Sequence, residues 1–140
     1  MTAINYDSLN VGDHLPVLTT RPISRLDLAL YCGASGDHNP IHVDIDFAKG
    51  AGMPDVFAHG MLSMAFLGRL VTDWVPQHQV REYGVRFVAI THVGDAVTCT
   101  GEVVEKFEHQ GERRLKLALT TKNQNDEIKL KGEAVIGFPG

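Results

Sequence analysis

Cysteine is scarce. The 140 residues contain two, Cys32 and Cys99, too few for a disulfide framework, so a reduced, cytoplasmic setting is expected. No apolar run reaches the length needed to cross a bilayer. The first ten residues are polar and lack an apolar h-region, so no secretory signal peptide is expected. An excess of positive charge is missing too. Lys and Arg number 13 against 17 Asp and Glu, a net charge of −4, which disfavours nucleic acid or an anionic membrane as partner. Neither low-complexity tracts nor solenoid-length repeats occur. With 44% apolar and 21% charged residues the chain is neither disordered nor a coiled coil. Its length suits one domain, residues 1–140.

The two halves differ in texture. The first reads as helices and loops. Ser24 can cap a helix with Asp27 at its third position, a carboxylate capping box, while Ile23 and Leu28 are spaced for a hydrophobic staple. This helix is expected to pass Tyr31 and Cys32 and fail near Gly33. Turn chemistry follows at Ser35 to Pro40, then a short helical turn near 45–49. The next helix, from Met61 to Val75, is apolar on nearly every face, which predicts burial all round. The second half alternates. Tyr83, Val85, Phe87 and Ala89 follow period two, as do Val97 to Val103, Leu115 to Leu119, and Ile128 to Ile136. Lys129, Lys131 and Glu133 fall on the solvent side. Residues 109–112 and 123–126 are hairpin turns, and an earlier strand is expected near 14–20. The sum is α+β: an antiparallel sheet with one face on a central helix.

Chemistry concentrates between the apolar helices, in Ser35 to Asp44. The carboxylate of Asp37 and the imidazole of His42 converge if the loop turns back at Asn39 and Pro40. Such a pair can hold and activate water. His59 and Gly60 open the apolar helix. First-turn amides lack intrahelical acceptors and sit at the positive end of the dipole. A glycine there admits a carbonyl oxygen closely, as an oxyanion site requires.

Tyr31 to His42, containing Gly-Asp-His-Asn-Pro-Ile-His, followed by Phe47-Ala48, resembles the hydratase-2 motif of the MaoC-like dehydratase family. Ala58-His59-Gly60-Met61-Leu62 resembles that family's second landmark, and the likeness extends over essentially the whole chain. It implies a hot-dog fold, a curved antiparallel sheet around a long central helix, over residues 1–140. It implies a lyase that adds water reversibly to trans-2-enoyl thioesters of CoA or acyl carrier protein, giving (3R)-3-hydroxyacyl thioesters. By position, Asp37 and His42 are the catalytic pair, with their separate roles open. Asn39, His59 and Gly60 fall on the substrate-binding side, the Gly60 amide meeting the thioester oxygen. The resemblance implies no cofactor and no metal. It also implies dimerisation, with a homodimer expected and a heterodimer with another hot-dog subunit as the alternative.

Other readings of the same residues compete. Asp37, His38, His42 and Asp44 are a possible metal cluster, but Pro40 prevents a helical i, i+4 clamp. Cys32, on an apolar helical face, reads as a small buried hydrophobe rather than a nucleophile. Arg113, Arg114, Lys116, Lys122, Lys129 and Lys131 read as a solvated strand face before a phosphate site. An acyl thioesterase is the rival activity, because hot-dog domains also host that reaction. A subunit active only with a partner is the rival of another class.

Overall fold

The computed structural model describes residues 3–140, so two residues of the polar N-terminal stretch lie outside the description. Helix α1 spans Arg25–Ser35. Its start is the predicted capping box: the Asp27 N–H donates to Ser24 Oγ at 3.1 Å and the Ser24 N–H to Asp27 Oδ2 at 2.9 Å. Contrary to expectation, the helix passes through Gly33. An interior glycine costs about 1 kcal/mol, which buried Leu28 and Cys32 on the same helix offset. The stop comes at Gly36, whose φ of 76° is the left-handed cap conformation that glycine adopts without a Cβ penalty.

A short helix α2, Ile45–Gly50, follows, capped by the Asp44 carboxylate. Helix α3 spans Gly60–Trp74. Strands β2 (Val80–Phe87), β3 (Thr98–His109), β4 (Glu112–Lys122) and β5 (Ile128–Phe138) complete the chain after β1 (Leu18–Thr19). The sheet order is β1-β3-β4-β5-β2, antiparallel throughout, so β1 and β2 are the edges. The β3–β4 hairpin turns at Gln110 and Gly111, both at positive φ.

Period-two alternation puts Cys99 and Val103 of β3, Leu115, Leu117 and Leu119 of β4, and Ala134 and Ile136 of β5 on one buried face. The register sets Leu115 opposite Ile136 and Leu117 opposite Ala134. Against this face α3 sets Leu62, Leu67, Leu70 and Val71. Register shifts at Val103/Glu105, Thr121/Lys122 and Val80/Glu82 bend the strands, as bulges do, and help the sheet curl. This is the α+β hot-dog architecture.

Three further expectations are corrected. The strand expected over 14–20 is only two residues, with His14 making a single bridge to Glu102; Pro16 has no N–H to offer a ladder. Helix α3 is not enclosed on all sides: the sheet covers one side, while Met61 remains 54% exposed and Ala65 is exposed. Lys129 does not face solvent. It is 0% exposed because the connection after β2 folds back over β5, with Val88 and Ala89 N–H donating to the Lys129 carbonyl.

Candidate active site

The loop between α1 and α2 is built from side chains that bond their own main chain, the local habit of Asp, Asn and Ser. The Asp37 N–H donates to Ser35 Oγ at 3.1 Å, Asn39 N–H to Asp37 Oδ1 at 3.2 Å, and Ile41 N–H to Asn39 Oδ1 at 3.1 Å. Asn39 thereby caps the short 3-10 turn Pro40–His42, which delivers His42 to the site. Asp37 stays exposed, while His42 is only 8% exposed.

Two contacts hold the His42 ring. Nδ1 lies 2.7 Å from the Phe57 carbonyl oxygen. A carbonyl only accepts, so Nδ1 carries the proton, and Nε2 presents a lone pair. The ring also stacks on His59, with centroids 3.8 Å apart and planes 26° from parallel. His59 is 1% exposed, and its Nε2 lies 3.3 Å from the Asp37 carbonyl oxygen. Burial, with the nearby His42 as a second cause, holds the His59 imidazole below the ordinary histidine range.

His59 is also the N-cap position of α3, but its side chain makes no capping bond. The amide end of α3 therefore faces the site without a protein carboxylate, and Gly60 is exposed there. A Cβ at Gly60 would come within 2.9 Å of the Phe87 ring, so glycine lets that ring lie close over the helix start. Beside it is a cavity of about 270 Å³ whose lining includes Phe57, Gly60, Ser63, Phe87, Ile90 and Thr91.

The structure therefore brings Asp37, His42 and His59 together: one ligand atom from each lies within 4.8 Å of the others. The four-residue cluster read from the sequence does not assemble. His38 is exposed, and Asp44 is spent on capping α2 through the Asp46 and Phe47 N–H groups. In the trio that does form, His42 Nδ1 and His59 Nε2 already face main-chain carbonyls. That leaves Asp37 Oδ2, His42 Nε2 and the buried His59 Nδ1 as the uncommitted atoms of the trio. Cys32 is buried, its Sγ 3.5 Å from His59 Nε2. Most of the basic strand residues are occupied: Arg113 pairs with Asp7, Arg114 with Glu112, Lys116 with Glu133, and Lys129 is buried.

Sequence reasoning missed the Phe57 carbonyl, the His59 stack and the Phe87 cover. The first is a main-chain atom, which no residue type announces. The other two depend on segments that meet only after folding.

The model of the MaoC like domain matches residues 9–126, and the chain belongs to that family. It is 30% identical over 121 residues to the (R)-specific enoyl-CoA hydratase of Rhodospirillum rubrum, covering 85% of this chain and 82% of that protein. It is 28% identical over 132 residues to the mitochondrial 3-hydroxyacyl-[acyl-carrier-protein] dehydratase of Arabidopsis thaliana, covering 94% and 78%. Fatty acid synthase subunit beta of Saccharomyces cerevisiae is 34% identical over 136 residues, but the chain spans only 6% of that protein's length. Among solved structures, the unliganded R-hydratase PhaJ1 of Pseudomonas aeruginosa superposes with a TM-score of 0.82 at 31% identity, covering 96% of this chain and 84% of that one.

Proposed function

We propose that this chain is a lyase that interconverts trans-2-enoyl thioesters and (3R)-3-hydroxyacyl thioesters. The observation that carries the reading is the placement of an exposed carboxylate, Asp37, beside a histidine whose Nδ1 is bound to the Phe57 carbonyl, next to an uncapped helix start at Gly60. In the hydration direction, Asp37 and His42 Nε2 hold one water. As its oxygen bonds to C3, one water proton passes to the pair and the C2–C3 π electrons move toward the thioester carbonyl. The Gly60 N–H and the α3 dipole meet the enolate oxygen that forms. A proton from the pair then goes to C2, so the sum is addition of one water. Asn39 acts by shaping the loop, and Phe87 with the adjoining cavity frames the thioester.

The chain works as a dimer in this reading. Strand β2 is an edge, and at its end Phe87 is 53% exposed with Val88 and Ile90 also uncovered, an apolar margin next to Gly60. A second copy would cover it. No helix among the described residues is long and apolar enough to cross a membrane.

Incubation of the purified chain with crotonyl-CoA tests the activity. Loss of enoyl absorbance without thiol release, with (3R)-hydroxybutyryl-CoA as product, is expected. Thiol release without water addition would instead establish the thioesterase. Sedimentation of the chain alone and with candidate hot-dog partners separates homodimer from heterodimer.

A further inference from the structure

His59 is the buried titratable group that the hydration scheme leaves without a task. Four observations surround it. Its ring lies face to face with His42 at 3.8 Å. Its Nε2 reaches the main-chain carbonyl of Asp37 at 3.3 Å, with Cys32 Sγ at 3.5 Å as a second neighbour. Its Nδ1 is buried and has no hydrogen-bond partner among the described residues. From α1 the Tyr31 ring meets it edge-on, with centroids 4.7 Å apart.

Resting on the reading of this loop as a hydration site, we infer that His59 is a positioning residue, a neutral imidazole that ties down the Asp37 main chain through Nε2–H and backs the His42 ring with its face.

The carbonyl opposite Nε2 accepts only, so the proton sits on Nε2 and Nδ1 is a bare lone pair. A second proton on Nδ1 would be a buried, unpartnered charged donor, which the site resists. Neutrality has a use. A charged ring stacked 3.8 Å from His42 would oppose any proton passing through that member of the pair. A neutral ring leaves that step free and fixes the plane in which His42 Nε2 faces the water. The same side chain thus sets the relative placement of both groups of the pair from behind, without touching substrate.

The test joins imidazole ¹⁵N NMR of the wild-type protein with kinetics of His59→Phe, which keeps a ring but no donor, and His59→Gln, which keeps a donor but no ring. The wild type should show His59 as the Nε2–H tautomer, with its titration displaced below the ordinary histidine range; ordinary histidine titration, or an Nδ1–H tautomer, overturns the inference even if neither variant folds. Each folded variant should lose about 10²-fold in kcat at unchanged KM, the scale expected when a reacting group is misplaced by about 1 Å. Made in a His42→Ala background, the same changes should cost less than in the wild type, because only the hold on Asp37 is left to lose. Undiminished kcat in a folded variant, or an equal loss without His42, refutes the positioning role alone. A wild-type chain that does not hydrate enoyl thioesters refutes the hydration reading instead.

Discussion

Replacing Lys129 with Met keeps most of the side-chain volume and removes the ammonium, so its effect isolates what the buried charge does. Lys129 is 0% exposed, and Nζ donates to the Ile90 carbonyl at 2.6 Å and to Glu127 Oε1 at 2.7 Å. Asp95 Oδ2 lies 3.7 Å away. The three contacts differ in weight. Glu127 is half exposed and can turn to water, so losing it costs little. Asp95 keeps bonds from the His92 N–H, Gln124 and Asn123. Although burial works to raise its pKa, those bonds and Lys129 prevail and hold it below the usual carboxylate range. The Ile90 carbonyl has the most to lose, since a hydrogen bond from a charged donor contributes about 1.5–3 kcal/mol. Adding part of the cost of breaking a buried ion pair gives about 2–4 kcal/mol for Lys129→Met. An unfolding entropy of about 2.1 cal/mol/K per residue makes each kcal/mol worth about 3.4 °C in a chain of 140 residues. The expected fall in Tm is therefore about 7–14 °C by calorimetry. Lys122→Met, at an exposed position on β4, is the control and should change stability by no more than about 0.5 kcal/mol. The loss should also reach the site. Lys129 pins Ile90, Thr91 accepts from the Ala58 N–H at 2.9 Å, and the neighbouring Phe57 carbonyl holds His42. A Tm for Lys129→Met equal to that of Lys122→Met would refute the reasoning, because the buried ammonium would then be worth no more than a solvated one.

Asp37→Asn and His42→Ala should each lower crotonyl-CoA hydration by about 10²–10⁴-fold while the circular dichroism spectrum stays native; near-wild-type turnover by either variant removes that residue from the mechanism. Gly60→Ala should lower kcat because its methyl group meets the Phe87 ring, and Gly60→Ala/Phe87→Ala should recover much of the loss if that collision is the cause. Glu112 is held at a pKa of about 2, against 4.5, by its hydrogen bonds from Arg81 and Arg114. Its folded pKa is depressed, so its stabilisation is complete above pH 4.5 and is lost as pH falls toward 2. Urea melts across that window should show a weaker pH dependence in Glu112→Gln.

Local rules made some of this legible in the sequence, and the failures share one cause. The capping box at Ser24 and Asp27 could be read because both of its bonds lie within three residues. The core faces of β3, β4 and β5 could be read because alternation is local, and Asp37 to His42 because the loop bonds chiefly to itself. Gly33 misled because its intrinsic helix cost was weighed without the burial of Leu28 and Cys32 beside it. Lys129 misled because alternation says which side of the sheet a residue takes and nothing about what later covers that side. Helix α3 is the more instructive case. Its apolar circumference predicted burial on every side, and one chain buries only the side on the sheet. The remaining apolar surface, Met61 of α3 with Phe87 at the end of the edge strand and Val88 just after it, is gathered where Gly60 begins the helix. It is the margin that the proposed dimer would cover. His59 was the hardest to read. The resemblance set it on the substrate-binding side, and the positioning role inferred above rests on its burial and on the His42 ring 3.8 Å from it. Neither quantity exists until α1, the loop and α3 have closed on one another.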